Sequence, residues 1–278
     1  SQGIIYLLAQ KSFPISKIFS AKHNRFHFIA VSKYIAEKFQ QSWGAKKNVH
    51  VVHNSIAPAN AATAVMNHDP VILWMGRLQR WKGAHVFIKA AGIIHKEYPE
   101  VQFKVVGGAL FGIEPDYEKE LHDLAQSFHL ENVLTFTGHQ SSVDTFIQSA
   151  DIVVHSSIRP EPFGLVILEA MNAGKPVIAS NEGGPLEIVQ HEVTGLLIPP
   201  NDPEKLAAAI MNLSADASLR TRMGQAAQER VKKYFNPAKM IRALESLYSE
   251  LTAENIKQQF QNEHHQEKNL SSGIRQRL

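Results

Sequence analysis

Two glutamates, Glu161 and Glu169, stand eight positions apart in the apolar stretch EPFGLVILEAMNAGKPVIAS. The spacing of the apolar residues predicts a helix that begins after Gly164, so the backbone N–H groups near Gly164, Leu165 and Val166 should point out of its N-terminus. Such a terminus binds phosphate through its free N–H groups and the helix dipole. Glu169 should lie about 7.5 Å further along the axis, at about 1.5 Å per residue. That reach suits a sugar hydroxyl beside a phosphate.

Each acid also has a structural explanation. A negative charge at Glu161, just before the helix, complements the helix dipole, and Glu169 can serve as one partner of a buried ion pair. As site residues, Glu169 would accept hydrogen bonds from a ribose diol, as acids do in other nucleotide-binding folds, and Glu161 would face the other end of the ligand. The residues alone leave both explanations open.

The loop GRLQRWKG follows the apolar strand VILWM and carries two cations, Arg77 and Lys82. Ligands of open α/β sheets bind beyond the carboxyl ends of the strands, which is where this loop should lie. Arginine offers a planar fork of donors and lysine a mobile point charge, so the two together suit a diphosphate. A solvated basic loop is the alternative. The adjacent Gly183 and Gly184 allow a close approach of backbone to a ligand, with a structural turn as the alternative.

Other kinds of chemistry lack the residues they need in this sequence. The absence of cysteine excludes a disulfide framework, a thiolate zinc site and a cysteine nucleophile. Asp-x-Asp pairs, His-Glu-x-x-His, a G-x-S-x-G elbow and a Walker loop are also missing, and VVGGALFG departs from the dinucleotide fingerprint. We therefore expect no metal ion, no cofactor and no serine nucleophile.

The elements that must position these residues alternate along the chain. From residue 48, short β-branched runs such as PVILWMG and DIVVHSS alternate with amphipathic stretches such as DYEKELHDLAQSFHL. Continuous apolar strands that alternate with helices indicate a parallel sheet covered on both faces. The pattern predicts an α/β fold, a Rossmann-like doubly wound parallel sheet, over about residues 55–215. Asp202-Pro203 predicts a helix start, and Ser32 predicts the start of another helix that stops at Gly44. Helices are also expected at ISKIFSAKH and over GPLEIVQHEV, where Glu187 should stabilise the helix start. Asn236-Pro237 separates two further helices within residues 218–251.

Charge and hydropathy point to a folded, soluble chain with an uneven distribution of charge. The net charge is +3, but residues 1–50 hold eight basic residues against Glu37 alone. Such a segment can attract an anionic membrane surface, and a solvated face is the alternative explanation. The longest apolar runs fall far below the roughly 20 residues that cross a bilayer. We expect a cytoplasmic protein, with peripheral contact at the inner membrane surface as an option, and no nucleic acid partner.

The motifs together resemble one known family. Gly-Arg…Lys-Gly, FTGH, SADIVVHSS, PEPFGLVILEAMNAGKPVIAS, GGPLEIV and TGLLIPPNDPEKLAAAI occur in this order. The series is similar to the C-terminal half of retaining glycosyltransferases of the GT-B fold, the large family 4 group (glycosyl transferases group 1). The resemblance covers about residues 26–250, with His53-Asn54-Ser55 in place of the more usual Asn-Gly after the linker strand. It implies a donor-binding domain over residues 56–251, preceded by the end of the first domain and linker (1–55). The composition of residues 252–278, which is polar with little apolar surface, predicts a disordered tail.

The resemblance also assigns roles to residues. It implies that Arg77 and Lys82 hold the donor diphosphate and stabilise the charge that develops on it, and that Glu161 binds the donor sugar. The nucleotide-binding set that it implies comprises Gly164, Leu165 and Val166 at the phosphate, Glu169 at the ribose, and the backbone near His139 and Gln140 at the base. Retention in this family is ascribed to front-face attack assisted by the leaving diphosphate, which requires no protein nucleophile.

The implied function is transfer of a sugar from a nucleotide-sugar donor, a UDP-hexose, to an unidentified acceptor. The family's first domain should precede this sequence, so we expect either a fragment of a longer protein or a truncated product without activity. This chain alone should bind a nucleotide sugar weakly and turn it over poorly. A non-catalytic nucleotide-sugar binding or interaction module is the alternative. A GT-B sugar epimerase is disfavoured because such enzymes lack the Glu161-x7-Glu169 arrangement with EPFG.

Overall fold

The predicted alternation of strands and helices is present in the computed structural model, which describes residues 27–43, 48–58, 70–109 and 113–253. The strands run over Phe28–Ala30 (β1), Val49–Val51 (β2), Val71–Met75 (β3), Gln102–Val106 (β4), Leu134–Phe136 (β5), Ile152–His155 (β6), Val177–Ser180 (β7) and Gly195–Ile198 (β8). Six of them form a parallel sheet in the order β5-β4-β3-β6-β7-β8. Strands β1 and β2 form a separate parallel pair. The predicted α/β fold is confirmed.

Helices connect the strands at nearly all the predicted places. They run over Lys33–Trp43 (α1), Ala84–His95 (α2), Tyr117–Ser127 (α3), Asp144–Ser149 (α4), Leu165–Asn172 (α5), Pro185–Ile188 (α6), Pro203–Ala215 (α7) and Ala217–Tyr234 (α8), with a 3₁₀ turn at Arg80–Lys82. A further helix, α9, covers residues 237–253. It belongs to a second unit that begins at Pro237, as the Asn236-Pro237 break predicts.

Alternate residues of the central strand pack into two separate cores, one on each face of the sheet. On β3, Ile72 and Trp74 join a cluster with residues of α2, α3 and α7. Leu73 and Met75 join a second cluster, built with residues of α5 and α8. Successive side chains of a strand point to opposite faces, so a strand buried on both sides needs the continuous apolar run that the sequence shows. The sheet is doubly wound.

The helix starts predicted at polar residues use those side chains as caps. The Asp202 carboxylate accepts a hydrogen bond of 2.8 Å from the N–H of Lys205. The Ser32 hydroxyl accepts one of 3.1 Å from the N–H of Ile35, at the start of α1. These side chains satisfy N–H groups that have no partner within their helices.

The helix predicted over GPLEIVQHEV is shorter than expected, because the chain becomes extended at Val189 after the single turn of α6. Glu187 is the acidic residue in the first turn of α6, where the sequence places it. Its carboxylate also accepts hydrogen bonds from the N–H groups of Lys33 and Tyr34, 3.0 and 3.1 Å away at the start of α1. It also lies 2.8 Å from the His53 ring. Glu187 therefore caps a helix in the N-terminal segment, defined here as residues 27–58.

Several expectations fall on other parts of the chain. The helix expected at ISKIFSAKH, the stop at Gly44 and nearly all of the polar tail lie outside the described residues. The domain boundaries at residues 55 and 251 stay predictions. Within the described ranges, no helix has the length and apolar character needed to cross a bilayer.

Candidate functional site

The loops that follow β3 and β6 meet at the carboxyl edge of the sheet, where the sequence predicts the site. Gly83 has φ of +75°, and a Cβ there would lie 1.9 Å from the carbonyl oxygen of Ser156, so only glycine fits. The Ser156 hydroxyl donates to the Gly83 carbonyl over 2.8 Å, and the N–H of Ile158 donates to the carbonyl of Trp81 over 2.8 Å. The GRLQRWKG loop is thus fixed directly on the loop that carries Glu161.

This contact brings Lys82 and Glu161 together as a buried ion pair. Lys82 Nζ lies 2.5 Å from Glu161 Oε2, and the two side chains are only 12% and 10% exposed. The ammonium also lies 4.1 Å from the centre of the Trp81 ring, a cation–π distance. The residue predicted to hold a diphosphate and the residue predicted to hold a sugar therefore pair with each other in this structure.

Two residues that sequence reasoning missed complete the surroundings of Glu161. His155 Nε2 lies 3.2 Å from Glu161 Oε2, and the Ser157 hydroxyl donates to the same oxygen over 3.3 Å. Ser157 Oγ and His155 Nε2 are 3.0 Å apart. The signal that could have found them is the run DIVVHSS, because a histidine and a serine at the end of a buried parallel strand stand at the ligand-binding edge.

Burial and the neighbouring groups shift the pKa values of both Glu161 and Lys82. Burial alone would raise the pKa of Glu161, but the hydrogen bond with His155 and the charge of Lys82 outweigh it and hold the pKa at about 2. Burial lowers the pKa of Lys82, and the nearby charge of Arg77 lowers it further, against the opposing attraction of Glu161. Glu161 is therefore an anion at neutral pH.

Arg77, the other predicted cation, stands exposed at the same edge. Its side chain forms no hydrogen bond or ion pair with the rest of the described chain. Burial is the main reason that the pKa of Lys82 is lowered, and the charge of Arg77 adds to that lowering. Two cations thus lie close together, one exposed and one buried against a carboxylate.

Helix α5 begins at Gly164, as predicted, with φ of +112°. A Cβ on Gly164 would lie 2.9 Å from Ile167 Cδ1, so this residue type permits both the dihedral angle and the close packing. Within the described ranges, the N–H groups of Gly164, Leu165 and Val166 donate no hydrogen bond. These donors are the free helix N-terminus that a phosphate would use.

The loop after β7 supports the backbone of Glu161. Glu161 forms an isolated parallel bridge with Gly183, and the N–H of Gly184 donates to the Glu161 carbonyl over 2.7 Å. A Cβ on Gly183, where φ is +73°, would lie 2.4 Å from that carbonyl oxygen. The paired glycines therefore allow this loop to pack closely against the loop that carries Glu161.

Glu169 projects from α5 and has no hydrogen bond to its carboxylate from the described residues. It is half-buried, and burial, together with the charge of Asp144 on α4, raises its pKa. The oxygens of a half-buried carboxylate without a donor are unsatisfied hydrogen-bond acceptors. The structural alternative, a buried ion-pair partner, does not apply among the residues that the structure describes.

His139 and Gln140 follow β5 at the same edge of the sheet. The N–H of Gly107 donates to the carbonyl of Gly138 over 3.0 Å, and a Cβ on Gly108 would lie 3.2 Å from the His139 nitrogen. Gln140 donates its side-chain amide to the Thr137 carbonyl over 2.8 Å, whereas His139 is exposed. The predicted site residues therefore lie in the loops that follow strands of one sheet or on α5, the helix that follows one of these loops.

The sheet and its edge define an α/β protein of the GT-B glycosyltransferase fold. The chain matches the family model described as "Glycosyl transferases group 1" over residues 59–230 and belongs to that family. It is 34% identical over 189 residues to the putative glycosyltransferase YtcC of Bacillus subtilis (strain 168), which covers 66% of this chain and 46% of that protein. It is 35% identical over 169 residues to a D-inositol 3-phosphate glycosyltransferase of Paenarthrobacter aurescens (strain TC1), which covers 59% of this chain and 40% of that protein.

Solved structures of similar proteins share this fold. Anabaena Alr3699/HepE in complex with UDP-glucose is 32% identical with a TM-score of 0.76, and the match covers 84% of this chain and 67% of that one. The same protein in complex with UDP and glucose is 31% identical with a TM-score of 0.75, over 85% and 66% of the two chains. The chain spans about half the length of the curated relatives it matches.

Proposed function

We propose that this chain supplies the donor-binding half of a retaining, family 4 glycosyltransferase that moves a hexose from a UDP-linked donor to an acceptor. The observation that carries the proposal is the arrangement at the carboxyl edge of the sheet. Arg77, Lys82 and the free N–H groups at the start of α5 lie there with two carboxylates, Glu161 and Glu169. The UDP and UDP-glucose complexes of the Anabaena relative support the choice of donor.

Each residue has a role that follows from its chemistry. Arg77, Lys82 and the N–H groups of α5 hold the diphosphate and stabilise the negative charge that grows on it as the sugar leaves, because fixed cations and dipoles stabilise developing charge best. Glu169 accepts hydrogen bonds from the ribose, and Glu161 from the sugar. The backbone near His139 and Gln140 lines the base.

The transfer itself needs no nucleophile from the protein. The bond between the anomeric carbon and the diphosphate breaks, the acceptor oxygen bonds to that carbon on the same face, and the acceptor proton passes to the leaving diphosphate. Two cations, Arg77 and Lys82, offset the charge of the bound diphosphate, so the proposal includes neither a metal ion nor another cofactor. The acceptor is unidentified, and we place the reaction in the cytoplasm, with peripheral contact at the inner membrane surface as an option.

Calorimetry with the whole chain tests the donor site. UDP, GDP and ADP are titrated separately into the unaltered chain, into Glu169→Ala and into Glu97→Ala, which removes an exposed acid at the end of α2. We expect UDP to bind most tightly, and Glu169→Ala to weaken it by about tenfold to a hundredfold, since a hydrogen bond between a ribose and a charged group contributes about 1.5–3 kcal/mol. Equal affinities in all three proteins would refute the ribose assignment.

Turnover separates the enzyme from a binding module. The chain is incubated with UDP-glucose, UDP-galactose and UDP-N-acetylglucosamine, and the release of UDP is followed by chromatography. Slow release of UDP that Lys82→Met abolishes supports the transferase. The alternative is a non-catalytic nucleotide-sugar binding module. It would be favoured if this chain, and longer proteins that contain it, bound a UDP-sugar tightly but released no UDP.

A further inference from the structure

A single carboxylate oxygen receives three hydrogen-bond donors at the centre of the site. Glu161 Oε2 lies 2.5 Å from Lys82 Nζ, 3.2 Å from His155 Nε2 and 3.3 Å from Ser157 Oγ. Glu161 Oε1 has no partner in the described part of the chain. The two oxygens of this carboxylate therefore differ, with one crowded and the other available to a ligand hydroxyl.

The three donors also differ in how easily they can leave. His155 ends the buried strand β6 and is 4% exposed, and Ser157 is 1% exposed, so both are held by the sheet. Lys82 stands on a four-carbon stem in the loop after β3 and has the larger exposure, 12% of its side chain. A lysine ammonium is a compact charge that can change partners by rotating its stem.

The contact of His155 with Glu161 uses one tautomer of the ring. A carboxylate only accepts hydrogen bonds, so a hydrogen bond over the 3.2 Å contact has its hydrogen on His155 Nε2. His155 Nδ1 is buried and has no hydrogen-bond partner within the described ranges. The ring is thus committed to Glu161 through Nε2, and Ser157, 3.0 Å from that nitrogen, belongs to the same cluster.

We propose that Lys82 passes from Glu161 to the donor diphosphate when the donor binds, while His155 and Ser157 hold Glu161 Oε2 and leave Oε1 for the donor sugar. The inference rests on the proposed function of this site. His155 is a positioning residue, because it acts through Glu161 and does not touch the ligand. The buried carboxylate keeps two donors after the lysine leaves, which removes most of the cost of an unpaired buried charge.

The exchange predicts opposite effects for two substitutions. Glu161→Gln releases Lys82 and should tighten the binding of a nucleoside diphosphate by about threefold to tenfold, since the lysine no longer has to leave an anion. His155→Leu removes a competing donor, so Lys82 is held more strongly and the same ligand should bind about threefold more weakly. His155→Gln, whose amide can replace the Nε2 hydrogen, should restore the affinity.

A double-mutant cycle by calorimetry tests the proposal, with whichever of UDP, GDP and ADP binds the unaltered chain most tightly. The gain from Glu161→Gln should vanish in a Lys82→Met background, and His155→Leu should have no effect in a Glu161→Gln background. If Glu161→Gln gives the same gain with and without Lys82, the carboxylate merely repels the ligand and the exchange is wrong.

The outcomes also separate this inference from the proposed function. A chain that binds none of the three nucleotides overturns both. A chain that binds one of them, but whose affinity falls or stays unchanged in Glu161→Gln, overturns the exchange alone. The comparison of Glu161→Gln with and without Lys82→Met needs no substitution at His155. The movement of Lys82 from Glu161 to the diphosphate therefore stays testable even if His155→Leu does not fold.

Discussion

Replacement of Glu161 by glutamine should change the stability of the protein in a way that depends on pH. Glutamine has the shape of a protonated glutamate, so the variant reports what the negative charge contributes. The pKa of Glu161 is held at about 2, against an ordinary value of 4.5. That difference corresponds to about 3 kcal/mol of unfolding free energy, at about 1.4 kcal/mol for each unit of pH.

The sign follows from the direction of the shift. Because the folded state lowers the pKa of Glu161, the contribution is complete above pH 4.5, where the unfolded chain is also ionised, and it is lost as the pH falls from 4.5 to about 2. The unaltered protein should therefore exceed Glu161→Gln in unfolding free energy by about 3 kcal/mol at pH 7. The two should converge near pH 2.

Urea denaturation at pH 7, 5, 4 and 3, followed by tryptophan fluorescence, measures this difference. Other carboxylates are protonated over the same range, but they contribute equally to both proteins and cancel in the difference. Glu97→Gln, at an exposed acid, should show no such difference at any pH. A gap between the unaltered protein and Glu161→Gln that is constant from pH 7 to 3 would refute the ion pair and hydrogen bonds assigned to Glu161.

Three further substitutions test individual contacts through urea denaturation or hydrogen exchange. Gly183→Ala should cost more than about 3 kcal/mol, because its Cβ meets a backbone oxygen at 2.4 Å, whereas Gly138→Ala, with a similar φ and open space, should cost about 1–2 kcal/mol. Equal costs would contradict the packing of the two loops. Ser156→Ala should cost about 2 kcal/mol, since it leaves the buried indole N–H of Trp74 without its 3.0 Å acceptor; no loss of stability would argue against that bond. Glu187→Gln should speed hydrogen exchange at the first two amides of α1 by about tenfold, from the loss of about 1 kcal/mol or more of capping; unchanged exchange would contradict the cap.

The fold was predictable because its signals are local. A strand buried on both faces needs a continuous apolar run, and runs such as VILWM and IVVH therefore predict buried strands directly. Helix starts at Ser32 and Asp202 were predictable because a cap bonds to a residue only three positions away. The edge of the sheet that carries the site followed from the direction of the strands, since ligand-binding loops follow carboxyl ends.

The partners within the site were not predictable, because they depend on contacts between distant parts of the chain. Lys82 meets Glu161 across 79 positions, and it does so because Gly83 packs against the backbone of Ser156. Glu187 bonds across 154 positions to the start of α1, although its position in a short helix suggested a local role. His155 appeared in the sequence as one more residue of a buried strand, and only the structure places it beside Glu161.

Side-chain hydrogen bonds join the start of α1 to the rest of the chain at two places, one on α6 and one beside Glu161. The Glu187 carboxylate holds the start of α1, and the Ser32 hydroxyl donates a 2.6 Å hydrogen bond to the carbonyl of Pro162, the residue next to Glu161. A rotation of α1 away from the sheet must either break these bonds or pull the backbone beside Glu161 with it. The angle of α1 and the position of the Glu161 carboxylate are therefore mechanically coupled.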